Sequence, residues 1–204
     1  METLEQKIKK NAAINGVLFG VIFLVLGIFL FYFITLMTTN FWMITIIGPL
    51  SITVLIPLGI AIWLCFDLRK KIGGFWNFKQ ATTGIFIMFL VTYLVSTIGN
   101  LGFSTLIEPD MAQKMKTVFI NGTTTMMKKQ GVDHDKIDKQ VEQVEKSMDK
   151  QSDHSPLTML KGAGIAIIID FVLALIFAAM FKKEPLLYAN DTDEVENAGL
   201  DPTL

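Results

Sequence analysis

Four long apolar blocks, at 14–37, 42–66, 81–107 and 157–181, constrain this chain more than any other feature. Each holds about 24–27 residues, enough to cross roughly 30 Å of hydrocarbon at ~1.5 Å per helical residue with some tilt. Hydrocarbon offers the backbone no hydrogen-bond partner, so such runs must be helices. The strict alternation of an outer-membrane barrel strand is absent. The expected fold class is an all-α membrane protein with four transmembrane helices. The 51% hydrophobic content is modest; its concentration in blocks carries the information.

The first block follows Lys7, Lys9 and Lys10. It is longer than the roughly 7–15-residue core of a cleaved signal peptide and lacks a small-residue cleavage site, so a retained helix is expected. The loop at 67–80 carries Arg69, Lys70, Lys71 and Lys79, and Lys182 and Lys183 close the fourth block. Positive-inside logic puts residues 1–13, the 67–80 loop and the acidic tail at 182–204 in the cytoplasm of a bacterial inner membrane, N-in and C-in. The tail is expected to be disordered. The segment at 108–156, with eight lysines and nine acids, then faces outward. Trp42 with Phe41, and Phe75, Trp76 and Phe78, suit interfacial aromatic belts.

Within 108–156, Met111, Met115, Val118, Phe119, Gly122 and Met126 recur at helical spacing. Gly131 breaks this helix and Asp133 can cap the next, whose Ile137, Val141, Val144 and Met148 step by four, three and four. An extracytoplasmic amphipathic hairpin between helices 3 and 4 follows. Its stripe, Met115, Phe119, Ile137, Val141, Val144 and Met148, either closes on itself or meets a partner. Asn121-Gly122-Thr123 fits a glycosylation pattern that carries little weight in a chain of bacterial character. His134 and His154 stand among acids and read as solvated rather than metal-binding.

Asp170 lies near the middle of the fourth block, about 13 Å along the axis from Lys161 and about 18 Å from Lys182. It belongs to a four-step row of small residues, Gly162, Ala166, Ala174 and Ala178, which lets another helix approach closely. Gly16, Gly20 and Gly27 form a similar packing face on span one. Counting depth along antiparallel spans sets Asp170 opposite Thr92, Tyr93 and Ser96, with Asn100 beyond. A neutral Asp170 carboxyl hydrogen-bonded to this hydroxyl-lined face is expected. In span two, Gly48-Pro49 and Pro57 free backbone carbonyls for neighbours.

Two functions compete, and the first of them is the expected one. In one, Asp170 fixes helix register in an accessory or scaffold subunit that associates through the hairpin and the small-residue faces. In the other, it serves a small proton- or cation-coupled transporter or an oligomeric channel. No nucleophile–base pattern, paired carboxylates or metal motif appears, so neither catalysis nor a cofactor or metal is expected. The net charge of −1 gives no reason to expect nucleic acid. The expected partners are the bilayer and either a second copy or another envelope membrane protein.

The basic start before a Gly-containing first span, the "RKKIGGFWNFKQA" loop, the "KKQGVDHDKIDKQVEQVEK" stretch and the "ALIFAAMFKK" ending resemble a family of small four-span bacterial membrane proteins. It is a domain-of-unknown-function family of Gram-negative envelopes, and the resemblance covers Lys7 to Lys183. It implies no catalytic residues. Proximity of such genes to membrane glycosyltransferase genes implies, at most, an envelope partner of that kind.

Overall fold

The computed structural model describes residues 3–151 and 155–183, and among these every regular element is helical. The tail from Glu184 onward, expected to be disordered, and the environment of His154 lie outside the described residues. Span one is α1, Leu4–Tyr32, continued by a π-helical turn at Phe33–Met37. Span two begins with π-helical turns at Met43–Ile47 and Leu50–Leu55 and runs on as α2, Ile56–Lys71. Span three is α3, Phe78–Gly102, with a π-helical turn at Phe103–Ile107. Then come α4, Met111–Lys129, α5, His134–Gln151, and α6, Pro156–Phe181, which is span four. These four spans are long and apolar enough to cross a membrane.

Helix ends follow local chemistry rather than hydropathy. Thr3 and Gln6 form a capping box that starts α1 well before the apolar block, and Asn77 and Gln80 form another at α3. Ser155 caps α6 by accepting from the Thr158 amide. Helix α2 carries straight through Asp67 to Lys71, so Asp67, expected in the loop, is a helical residue. Gly73, Gly74 and Gly131 take positive φ angles of 110°, 85° and 69° at the two sharp reversals.

The π-helical turns gather at the end of the bundle away from the basic loop. Three of the four contain a hydroxyl bonded back to the preceding turn: Thr35 to the Phe31 carbonyl, Thr53 to Pro49, and Thr105 to Leu101. Each such hydroxyl competes with an amide for its carbonyl and loosens the ladder. The Pro49 carbonyl is thus met by Thr53 of its own helix.

Span one packs on span three, and span four packs on span three. Gly16 and Gly20 allow the first contact: a Cβ on Gly16 would lie 2.7 Å from the Met88 carbonyl, and one on Gly20 2.7 Å from Val95 Cβ. Gly27 and Gly162 meet nothing within 4 Å among the described residues, so they do not serve as packing positions there. Ala174 and Ala178 are fully buried and Ala166 is partly covered, so the span-four row packs tightly only toward the basic end.

The main core occupies that basic half, with Ala12, Leu64, Leu68, Trp76, Ile85 and Met88 among its buried members. Phe31, Ile34, Ile44 and Phe103 are buried at the opposite end, where the Phe31 and Phe103 rings meet edge to face. Helix α4 rests there against the ends of spans one and two, with Gly122 close to Phe41 and Ile44. The chain is therefore packed at both ends and looser between them.

Candidate functional site

A cavity of about 380 Å³ lies between the two packed ends and is walled by all four spans. Asp170 of α6 lines it together with Thr92, Tyr93 and Ser96 of α3 and Thr53 of span two. Asn100, the far member of the expected row, is exposed and lies outside this lining. Apolar walls come from Phe19 and Phe23, from Pro57 and Ala61, and from Phe89 and Phe177. The Phe89 and Phe177 rings stand 5.5 Å apart, edge to face, and floor the cavity toward the basic-half core.

The hydroxyls do not bond to Asp170 as expected. Thr92 Oγ1 donates to the Gly16 and Met88 carbonyls at 3.1 and 2.9 Å. Ser96 Oγ donates to the Tyr93 carbonyl at 3.1 Å, and Thr53 to Pro49. In an apolar span the carbonyl of the preceding turn is always within reach of such a side chain, and it captured each proton. Asp170 Oδ2 is left buried with no hydrogen-bond partner among the described residues. A buried polar atom in that state costs about 1–3 kcal/mol.

A second polar cluster lies at the basic end, formed by Lys71 with Asn15 and Asp67, which the pattern of the sequence did not single out. Asn15 is only 1% exposed. Its amide donates to Asp67 Oδ2 at 2.9 Å and to the Leu64 carbonyl at 3.4 Å, and it accepts from Lys71 Nζ at 2.9 Å. Lys71 also pairs with Asp67 at 2.6 Å. Asp170 is therefore not the only acid in the spans. The four-residue step from Asp67 to Lys71 was the available signal, obscured by treating both as loop.

Trp76 is likewise not an interfacial anchor. It is 1% exposed, and its Nε1 donates to the Phe181 carbonyl at 2.8 Å. Trp76 and Lys183 exchange both backbone hydrogen bonds, and Arg69 reaches the same Phe181 carbonyl at 3.5 Å. The last carbonyls of α6 have no partner within their helix, and the loop supplies one. Phe75 and Phe78 remain exposed, as belt residues would be, and Lys183 lies over the Phe75 ring.

In the α4–α5 pair, Ile137 is buried and Met115, Phe119, Val141, Val144 and Met148 are half-buried. No large apolar side chain between 108 and 155 is exposed among the described residues. The stripe is thus largely used by the two helices against each other, leaving a shallow recess beside Phe119, Val144 and Met148. Lys116 of α4 bonds Asp149 of α5 at 3.0 Å, and Glu142 pairs with Lys146 within α5 at 2.5 Å. Among the described residues no group of three His, Cys, Asp or Glu side chains is arranged to hold a metal.

Residues 16–183 match the profile of the family described as Protein of unknown function (DUF4199). The chain belongs to this family. The DUF4199 region takes in the Asp170 cavity, the loop clasp at Trp76 and nearly all of the four spans; Asn15 falls just before it. No curated protein and no solved structure matches the chain.

Proposed function

We propose that the chain is a non-catalytic integral membrane protein whose working part is the Asp170 cavity, where it takes up a cation or a proton within the bilayer. One observation carries this reading: Asp170 borders a cavity walled by all four spans while its Oδ2 is buried and unpartnered. A carboxyl kept only to fix helix register is stabilising when its oxygens are paired, and intramembrane acids otherwise mark ion or proton sites. The accessory-subunit reading rests on the hairpin stripe and on the small-residue faces; the side chains of the stripe lie mostly within the α4–α5 pair, which removes the support from the hairpin.

The test is the full chain in proteoliposomes, comparing wild type with Asp170→Asn. The expected outcome is proton- or cation-dependent flux in the wild type, and its loss in a variant whose stability stays within about 1 kcal/mol of the parent. No wild-type flux, or equal flux in both, overturns the reading.

The same proposal sets the chain in a bacterial inner membrane with both termini and the α2–α3 loop cytoplasmic, and α4 and α5 outside. The clustering of Arg69, Lys71 and Lys183 around one end of the bundle supports it. Reporter fusions at Lys71 and Lys139 test it. Phosphatase activity at Lys71, or its absence at Lys139, overturns the orientation.

A further inference from the structure

The chemistry of the cavity wall narrows what Asp170 takes. Thr53, Thr92 and Ser96 each donate their hydroxyl hydrogen bond to a backbone carbonyl. They therefore turn lone pairs, not donors, toward any guest. An ionised Asp170 is an acceptor only. Tyr93 is the one lining hydroxyl without such a commitment among the described residues. The few polar groups of this apolar wall that are acceptors recognise a donor, and a carboxylate in apolar surroundings recognises a positively charged one.

The size and walls argue against an inorganic ion. Calcium takes roughly 6–8 oxygen ligands, and magnesium holds a near-octahedral shell; here a single carboxyl stands among mostly apolar side chains. A volume of about 380 Å³ falls instead within the roughly 300–1,000 Å³ of small-molecule sites. The rings of Phe19, Phe89 and Phe177 offer an apolar bed whose faces attract cations.

The mouth gives the route. Val54, Leu58 and Leu173 line the cavity and are 49%, 45% and 40% exposed. They lie within the apolar spans two and four, so the opening meets hydrocarbon rather than water.

We propose that the guest is an organic ammonium with an apolar body, entering from the bilayer between spans two and four. This rests on the reading of Asp170 as the working group. The neutral amine partitions into the lipid and enters the cavity. The protonated Asp170 carboxyl then transfers its proton to the amine nitrogen, leaving a carboxylate paired with an ammonium. Rotation about the last side-chain torsion of Asp170 offers either oxygen to the guest.

The test uses the full chain in lipid nanodiscs and N,N′-dicyclohexylcarbodiimide, a hydrophobic reagent that converts a protonated carboxyl into a stable N-acylurea. Peptide mapping reads modification at Asp170, with Asp170→Asn as the blank. The probes are phenethylamine, its neutral analogue 2-phenylethanol, and sodium or potassium chloride. The expected result is labelling of Asp170 that phenethylamine slows on the order of tenfold at saturation, with no effect of 2-phenylethanol. Equal protection by the alcohol, or protection by the salts and not by the amine, overturns the ammonium assignment and leaves the working role of Asp170 intact. Absence of labelling in folded protein overturns that underlying role itself.

Discussion

Trp76 and Phe181 are joined by a buried hydrogen bond of 2.8 Å that ties the α2–α3 loop to the last turn of α6. The indole fills space in the core as well, since it is among the largest fully buried side chains. Two substitutions separate these contributions. Trp76→Phe keeps an aromatic ring and removes the donor, and is expected to lower stability by about 1–2 kcal/mol. Trp76→Ala also empties the site and is expected to cost about 3–5 kcal/mol. Unfolding in mixed detergent micelles measures both. Equal stability of all three proteins would return Trp76 to the membrane interface.

The two glycine environments on α1 predict opposite outcomes. A methyl on Gly16 would lie 2.8 Å from Val91 Cβ as well as against the Met88 carbonyl, and neither atom can swing away. Gly16→Ala should force α1 and α3 apart and cost about 1–3 kcal/mol. Gly27→Ala meets open space and should be neutral or slightly stabilising, since alanine favours helix by about 1 kcal/mol. Thermal unfolding of the pair in one detergent checks the contrast.

Asn15 satisfies groups on three residues of α2 at once, so its removal should be felt across that helix. Asn15→Ala takes one donor from Asp67 and one acceptor from Lys71, leaving the pair to satisfy each other, and is expected to cost about 1–3 kcal/mol. Combined with Lys71→Met, the losses should fail to add, because the residues share one network. Strict additivity in the double-mutant cycle would show that the network is not coupled.

The α4–α5 pair should respond to pH in a defined way. The hydrogen bond from Lys146 holds the Glu142 carboxyl below its usual range. Its stabilisation is complete above the unfolded value of about 4.3 and is lost as pH falls through the lower folded value. The hydrogen bond to Asp149 holds Lys116 above its usual range. That contribution is complete below about 10.4 and is lost as pH rises through the higher folded value. Amide hydrogen exchange in α5, corrected for intrinsic rate, should be flat between about pH 5 and 9 and quicken in stronger acid. Lys146→Gln should blunt the acid response. An unchanged acid response in that variant would remove Glu142 as its source.

The spans were legible because a bilayer imposes a length and an apolar composition that few other structures share. Gly131 was legible as a break because its backbone needs a positive φ. Counting depth along the spans brought Thr92, Tyr93 and Ser96 to the level of Asp170 without knowing any contact. What the count cannot supply is where a hydroxyl proton goes, because the carbonyl four residues back is invisible to periodicity. Asn15 was missed for a related reason. It sits at the edge of an apolar block, and its partners Leu64, Asp67 and Lys71 lie on another helix. An aromatic residue beside lysines reads as a belt whether it faces lipid or, like Trp76, turns inward.

The packing of α6 on α3 also bears on how the molecule is made. The ribosome releases span four after the other three, once α4 and α5 have separated it from the helix on which it will rest. Until it docks, Asp170 travels through the translocation machinery in a segment whose neighbours must outweigh it, since an aspartate at mid-depth costs about 2.5–3.5 kcal/mol to insert. The isoleucine-rich stretch just before it and the leucines and phenylalanines after it supply that weight. The fourth wall of the cavity is thus added after the other three, and nascent chains arrested before α6 would reach the membrane without the carboxyl.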